Sequence, residues 1–373
     1  MTISIENSKG TLTNLLKTVQ DQAARSADFL APTDQLQFRT RGDISEIIME
    51  QNRGEPTHIL KANDVAFDQI AGKAGIDVRT ARRLSGHYPT QFDGLINAIW
   101  QKEPSTRMVR SFLDQDGRDG IARAFVSDKF KTFDNVHLLN ASLPQLMESG
   151  AGWQVVHGTV TDRRLYLRLK SNNFTGEGAA VGDMMALGIG LSNSEVGHGS
   201  ISVYQMIWTL ACLNGMQTEN RHRSSHITSA RAESDTWGLL TDEAKDADNR
   251  ALELKVRDLV SVYGSRDALD TVLEKMRSAA ADVIHGSAQN ATEALGKVLQ
   301  LTKADTGRIL DGLLATIGQA GYAGQPLSRA MMVNAVTAVA HSVDADAVDD
   351  WQRLGGRVLD LPRSDWQRVA MAA

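Results

Sequence analysis

With 373 residues the chain exceeds one typical domain, and its 42% apolar and 23% charged residues are those of a globular protein. Forty basic against 45 acidic residues leave a formal charge of −5, which argues against wholesale attraction to nucleic acid while allowing local basic patches. No uncharged run approaches the ~18 residues of a membrane helix. The opening MTISIENSKG lacks the apolar stretch of a signal peptide, and the single cysteine, Cys212, excludes an intrachain disulfide, so a cytoplasmic protein is expected.

In chain order, residues 1–35 read as a weak helix and an arm. From Phe67 to Gln101 the pattern is helical, with Ile70, Ala74, Leu84, Leu95 and Ile99 as core positions and Gly75 at a tight turn. Within it, Ile70 to Leu84 fits a helix-turn-helix that would carry Arg79, Arg82 and Arg83 on its second helix. Arg123 to Asn135 reads as extended, and Val136 to Glu148 as a helix with Leu138, Leu139, Leu143 and Leu146 inward. Trp153 to Val160 and Leu165 to Lys170 form a hairpin around Thr161 to Arg164. Further on, Met185, Leu187, Ile189 and Leu191 alternate with Ala186, Gly188, Gly190 and Ser192, a strand with one nearly bare face that something must approach closely. The apolar run from Val203 to Leu213 reads as a buried helix stopped by Asn214-Gly215. Thr241 to Asn249 is acidic and suggests a linker. The rest is helical from about Ala244, with a break at Ala320 to Pro326 and a tail after Leu361.

These elements define an α+β protein: a small antiparallel sheet with a β-hairpin, packed by helices, with helical N-terminal and C-terminal regions. The expected divisions are an arm at 1–35, an α+β core at 36–240 and a helical region at 241–373.

The turn Asn193-Ser194-Glu195-Val196-Gly197, the apolar stretch behind it and the ending Cys212, Asn214, Gly215 resemble the core of domain-of-unknown-function family 932, the phage- and plasmid-related proteins. The resemblance extends to RAFVSDKFKTFDN (Arg123 to Asn135) and to Asn334 to Leu359, so it spans most of the chain. It implies a protein of a mobile element and names no reaction. At the level of topology, a hairpin, further strands and a packed helix followed by basic residues also resemble single-strand-annealing recombination proteins, which implies a ring- or filament-forming homo-oligomer.

On the hairpin, Leu165, Leu167 and Leu169 point one way and Tyr166, Arg168 and Lys170 the other. An aromatic ring between cations suits a single strand, with a base stacked on the ring and phosphates on the cations, although a solvated outer strand face has the same pattern. The expected nucleic-acid contacts are therefore Tyr166, Arg168, Lys170, Arg221 and Arg223, with Lys129 and Lys131 as secondary contacts. Catalysis is not demanded. Asp128, Asp134, Asp162, Asp183 and Glu195 are the only acids that would suit a metal-dependent nuclease, and no two have a diagnostic spacing. Glu195 fits a tight turn better, as an acceptor of backbone N–H groups. His157, His198, His222 and His226 match no zinc motif. Trp153 and Trp208 read as core, and no cofactor is expected. A protein-interaction module that acts on the host without touching nucleic acid is the remaining alternative, supported by the net negative charge.

Overall fold

The computed structural model describes residues 8–50, 56–178, 183–210, 214–218, 225–227, 240–318 and 322–372. The fold is α+β, and it contains two six-stranded sheets where one small sheet is expected. The first sheet holds β1 (Ser26–Pro32), β2 (Leu36–Arg41), β3 (Ile44–Glu50), β4 (Pro56–Ala62), β5 (Thr106–Leu113) and β6 (Asp119–Ser127), in the order β1-β5-β6-β4-β3-β2. Its pairs are antiparallel except β4 with β6. The segment read as an arm thus supplies an edge strand, because β1 pairs along its whole length with β5.

Helix α1 (Ser8–Arg25) precedes this sheet, and α2 (Asp64–Lys73), α3 (Val78–His87) and α4 (Pro89–Lys102) lie between β4 and β5. Phe38, Ile47, Leu60, Val109 and Phe125 alternate along their strands, so one face of the sheet is apolar and buries against these helices. Trp100 of α4 stacks on Phe125 with ring centroids 5.5 Å apart. The expected helical stretch is present. Leu95 departs from its core assignment and is 44% exposed, because it lies on the solvent side of α4.

Helix α5 (Asn135–Glu148) leads into the second sheet: β7 (Trp153–Val160), β8 (Leu165–Glu177), β9 (Met184–Asn193), β10 (Ile201–Thr209), β11 (Asn214–Gln217) and β12 (Ser225–Ile227). The order is β11-β10-β9-β8-β7, with β12 also on β10, and every pair is antiparallel. The expected hairpin is β7–β8. The expected helix after Val203 is instead β10. Every residue of β10 is buried, so both faces of the strand are covered and the mostly apolar run is indistinguishable from a buried helix by periodicity. Asn214-Gly215, read as a helix stop, opens β11, where Gly215 lies opposite Trp208. Cys212 lies outside the described residues.

Leu165, Leu167, Leu169, Ile189, Leu191 and Val203 bury one face of this sheet under α1, α5 and α6 (Asp242–Tyr263). The acidic linker is thus the start of a helix: Thr241 caps α6 by accepting from the Ala244 N–H. Beyond it lie α7 (Arg266–Ala281), α8 (Ala288–Leu299), α9 (Lys303–Ile317), α10 (Arg329–Ala338), α11 (Ala345–Leu359) and α12 (Arg363–Ala370). Ser265, Ser287, Thr302 and Ser328 cap α7 to α10 in the same way. Their core includes Met185, Leu187, Ile207 and Met216 of the second sheet, so the helical region is packed onto that sheet. The expected tail is α12, which buries Trp366 and Val369. No helix among the described residues is long and apolar enough to cross a membrane.

The bare face of β9 is filled from within. A Cβ at Gly190 would lie 2.0 Å from the Tyr204 ring, and one at Gly188 would lie 2.4 Å from the Trp208 indole nitrogen, which donates to the Leu169 carbonyl at 3.0 Å. The two glycines let aromatic rings lie flat across the sheet. Gly190→Ala should lower stability by about 1–3 kcal/mol through overpacking. Gly94→Ala, exposed within α4 with nothing within 4 Å of the new methyl, should raise it by about 0.5–1 kcal/mol. Urea unfolding midpoints of the two variants check both signs.

Candidate functional site

The hairpin face expected to meet a ligand is occupied from inside the chain. Tyr166 and Arg168 are each 1% exposed. Arg168 donates to Asp349 of α11 at 2.6 Å, and the same carboxylate oxygen accepts from the Tyr204 hydroxyl at 2.8 Å and the Gln217 amide at 3.0 Å. Burial works against the Arg168 charge, but Asp349 outweighs it and leaves the pKa raised. Burial and Asp349 together also raise that of Tyr204. The outward pattern of Tyr166 and Arg168 therefore serves internal packing, with only half-buried Lys170 nearer solvent. Lys131 pairs with Asp248 of α6, Lys129 is exposed on the loop before α5, and Arg221 and Arg223 lie outside the described residues. Among the described candidates, only Tyr166, Arg168 and Lys170 are brought together.

His157 of β7 lies opposite Arg168 in the strand register. Burial, reinforced by the Arg168 charge, pushes its pKa down to about 4. The unfolded chain binds this proton near pH 6.5 and the folded chain does not until about pH 4, so stability is full above that window and falls as pH drops through it. Between pH 7 and pH 5 the group should cost about 2 kcal/mol. In His157→Gln that part of the acid sensitivity should vanish, as read by urea unfolding at the two pH values.

The turn at Asn193 to Gly197 joins the two sheets. Glu195, nearly buried, accepts from Arg123 of β6 and from the Asn135 backbone N–H at the start of α5, the latter at 2.5 Å. It accepts a backbone N–H as expected, but the donor is Asn135, 60 residues away, where a donor within its own turn was expected, and an ion pair is added. Arg110 of β5, 1% exposed, donates to the Glu195 carbonyl at 2.8 Å, to Asp134 at 2.7 Å and to Asp28 at 3.0 Å. Burial alone would weaken its charge, but Asp134 and Asp28 more than compensate and its pKa is raised. Gln69 of α2 donates to the Val196 carbonyl at 2.7 Å while accepting from the Phe125 N–H. Asn193 donates to the Phe133 carbonyl and to Asn135. Gly197, with φ of +82°, closes the turn in a conformation that other residues rarely adopt. Glu195→Gln should cost about 3–5 kcal/mol, the penalty for leaving a buried arginine without its counter-charge. Thermal unfolding of the variant measures it.

Beside this turn opens a cavity of about 220 Å³. Arg123, Phe112 and Ile121 of the first sheet form one wall, and the hairpin tip with Arg163 and Arg164 forms the other. The tip is held in place: Thr161 accepts from the N–H groups of Arg163 and Arg164, and Ser194 donates to the Arg163 carbonyl at 2.8 Å. Arg164 donates to Ser192 and to the Ser200 carbonyl, and its guanidinium lies 5.6 Å from the Tyr166 ring centroid. Arg123 lies over Phe112 at 4.3 Å. Asn63 and Asn135 add amides, and Asp162 and Glu195 are the acids of the lining. The basic excess at Arg163 and Arg164 is visible in the sequence. Their meeting with Arg123 is not, since it depends on pairing two separate sheets.

The acids expected for a metal site are dispersed. Asp134 and Glu195 are held by arginines, and Asp183 accepts from Tyr322. Among the described residues, no three His, Cys, Asp or Glu side chains are grouped to hold a metal ion. In the α2–α3 pair, Arg82 is tied to Asp64 and Asp68, whereas Arg79 and Arg83 are exposed. No family model, curated protein or solved structure matches this chain.

Proposed function

We propose that this protein is a non-enzymatic nucleic-acid-binding protein that prefers single strands and uses the cleft between the hairpin tip and the first sheet. The observation that carries this reading is the convergence of Arg123, Arg163 and Arg164 on one cavity beside an aromatic ring. Guanidinium groups recognise phosphate through paired N–H donors, and apolar or aromatic walls suit unstacked bases. Ile121 of the cavity wall is 41% exposed and lies opposite Lys61 in the first sheet. The three arginines of the cleft offset the net negative charge locally. The stretches that resemble the phage- and plasmid-related family are the ground for proposing a role in recombination or replication of a mobile element in the host cytoplasm, and annealing proteins of that kind work as homo-oligomers.

Fluorescence anisotropy with single-stranded and duplex oligonucleotides of equal length, across a salt series, tests the reading. Tighter binding of the single strand is expected, with affinity falling as salt rises. Arg163→Ala should flatten the slope of log affinity against log salt by roughly 0.7, the contribution of one phosphate contact to a single strand. Preference for duplex would move the interface to α3 with Arg79 and Arg83. No binding at low salt would sink the proposal and favour a protein partner.

A further inference from the structure

We infer that the cavity at the sheet junction is a mononucleotide site, in which a phosphomonoester lies on the arginines and its nucleoside lies along Phe112 and Ile121. The inference rests on the nucleic-acid reading above in taking the bound unit to be a nucleotide. It narrows that reading to one phosphate and one nucleoside.

Charge is the first support. Glu195 is already engaged by Arg123 and by the Asn135 N–H, so little of its charge is left for the cavity. Among the described residues, Arg164 donates to neutral acceptors, the Ser192 hydroxyl and the Ser200 carbonyl. Arg163 is exposed at the rim. With Arg123 and Glu195 paired, Arg163 and Arg164 face Asp162 alone, so the lining carries one positive charge in excess that an anion balances.

Unused donors are the second. Among the described residues, Nε of Arg123 and Nε of Arg164 are buried with no hydrogen-bond acceptor. A buried donor left unpaired costs about 1–3 kcal/mol. Oxygens arriving between the two guanidiniums would relieve that cost after small side-chain movements, which a neutral ligand without acceptors would not.

Size and wall chemistry are the third. At about 220 Å³ the cavity is below the roughly 300 Å³ at which drug-sized pockets begin, so it takes the phosphate and part of one nucleoside, the remainder extending from its mouth, and not a folded strand. Phe112, Ile121 and Val160 give an apolar wall, and Gln22 and Asn63 provide amides for sugar or base edges. A free nucleotide and the phosphorylated 5′ end of a strand present the same phosphomonoester.

Isothermal titration of the 373-residue chain with thymidine 5′-monophosphate, thymidine and inorganic phosphate tests the site. Binding of the monophosphate at least about tenfold tighter than thymidine, reduced about tenfold in Arg163→Gln, is the expected result. Arg164→Lys, which keeps the charge but loses the guanidinium fork, should weaken the monophosphate in the same direction, and unchanged melting temperatures will show that both variants fold. Equal affinity for thymidine and its monophosphate, or no binding of the monophosphate at millimolar concentration, overturns the inference. A 5′-phosphorylated oligonucleotide that binds about tenfold tighter than its 5′-hydroxyl twin assigns the site to strand ends; equal binding of the two, with the monophosphate bound, assigns it to free nucleotides. Strand binding without monophosphate binding overturns this inference and leaves the proposed function standing. Monophosphate binding without strand binding does the reverse.

Discussion

A buried carboxylate stands at the centre of the contacts that fasten the two halves of the α+β region together. Glu195 sits in a turn of the second sheet, yet its ion-pair partner, Arg123, belongs to the first sheet, and its backbone partner begins the helix that follows that sheet. Removing two charges from water costs several kcal/mol per ion, and their attraction returns that cost only with good geometry and further hydrogen bonds. Here both are supplied, together with Arg110 on the Glu195 carbonyl. What such a pair secures best is a specific arrangement. A slipped docking of the sheets would strand a buried arginine, so the wrong arrangements are penalised more than the right one is rewarded. The cleft inherits this rigidity, because its walls are held by the same turn.

The second sheet solves a different problem, since both its faces are covered. On one face the solution is leucine, isoleucine and valine under helices. On the other it is two aromatic rings laid over glycines and a cluster of polar groups gathered on Asp349. Residues that look amphipathic along the strand are therefore interior, and the surface that offers arginines to solvent is displaced a few residues along the hairpin, to its tip.

The hairpin was legible because its alternation is strict and its turn residues are unambiguous. Helices α2 to α5 and those of the C-terminal region were legible from their periodicity, except for the start of α6, whose acidic residues hid the Thr241 cap. Strand β10 was not, because burial on both faces erases the period that separates strand from helix. The first sheet went largely unread for the opposite reason: in LQFRTR, charged residues fill the open face, and the alternation of Leu36 and Phe38 with Gln37 and Arg39 is too short to stand out. At the candidate site, local sequence revealed the basic hairpin tip and the tight turn. It could not reveal that Arg123, about 40 residues upstream, closes the cavity, since that is a fact of sheet docking. An acid placed among small residues in a turn, as Glu195 is, was the available hint that a distant cation was needed.

The link between Arg168 and Asp349 also sets an order of events at the ribosome. The two residues are 181 positions apart, so while the chain is being made the hairpin arginine has no counter-ion from α11 until those residues have been added. The second sheet can pair its strands early, but its inner polar cluster cannot close until α11 arrives. Such long-range closure slows folding and leaves partly buried charge and apolar surface exposed for the duration of synthesis. The C-terminal helices thereby act as the final latch on a sheet whose strands were translated long before them.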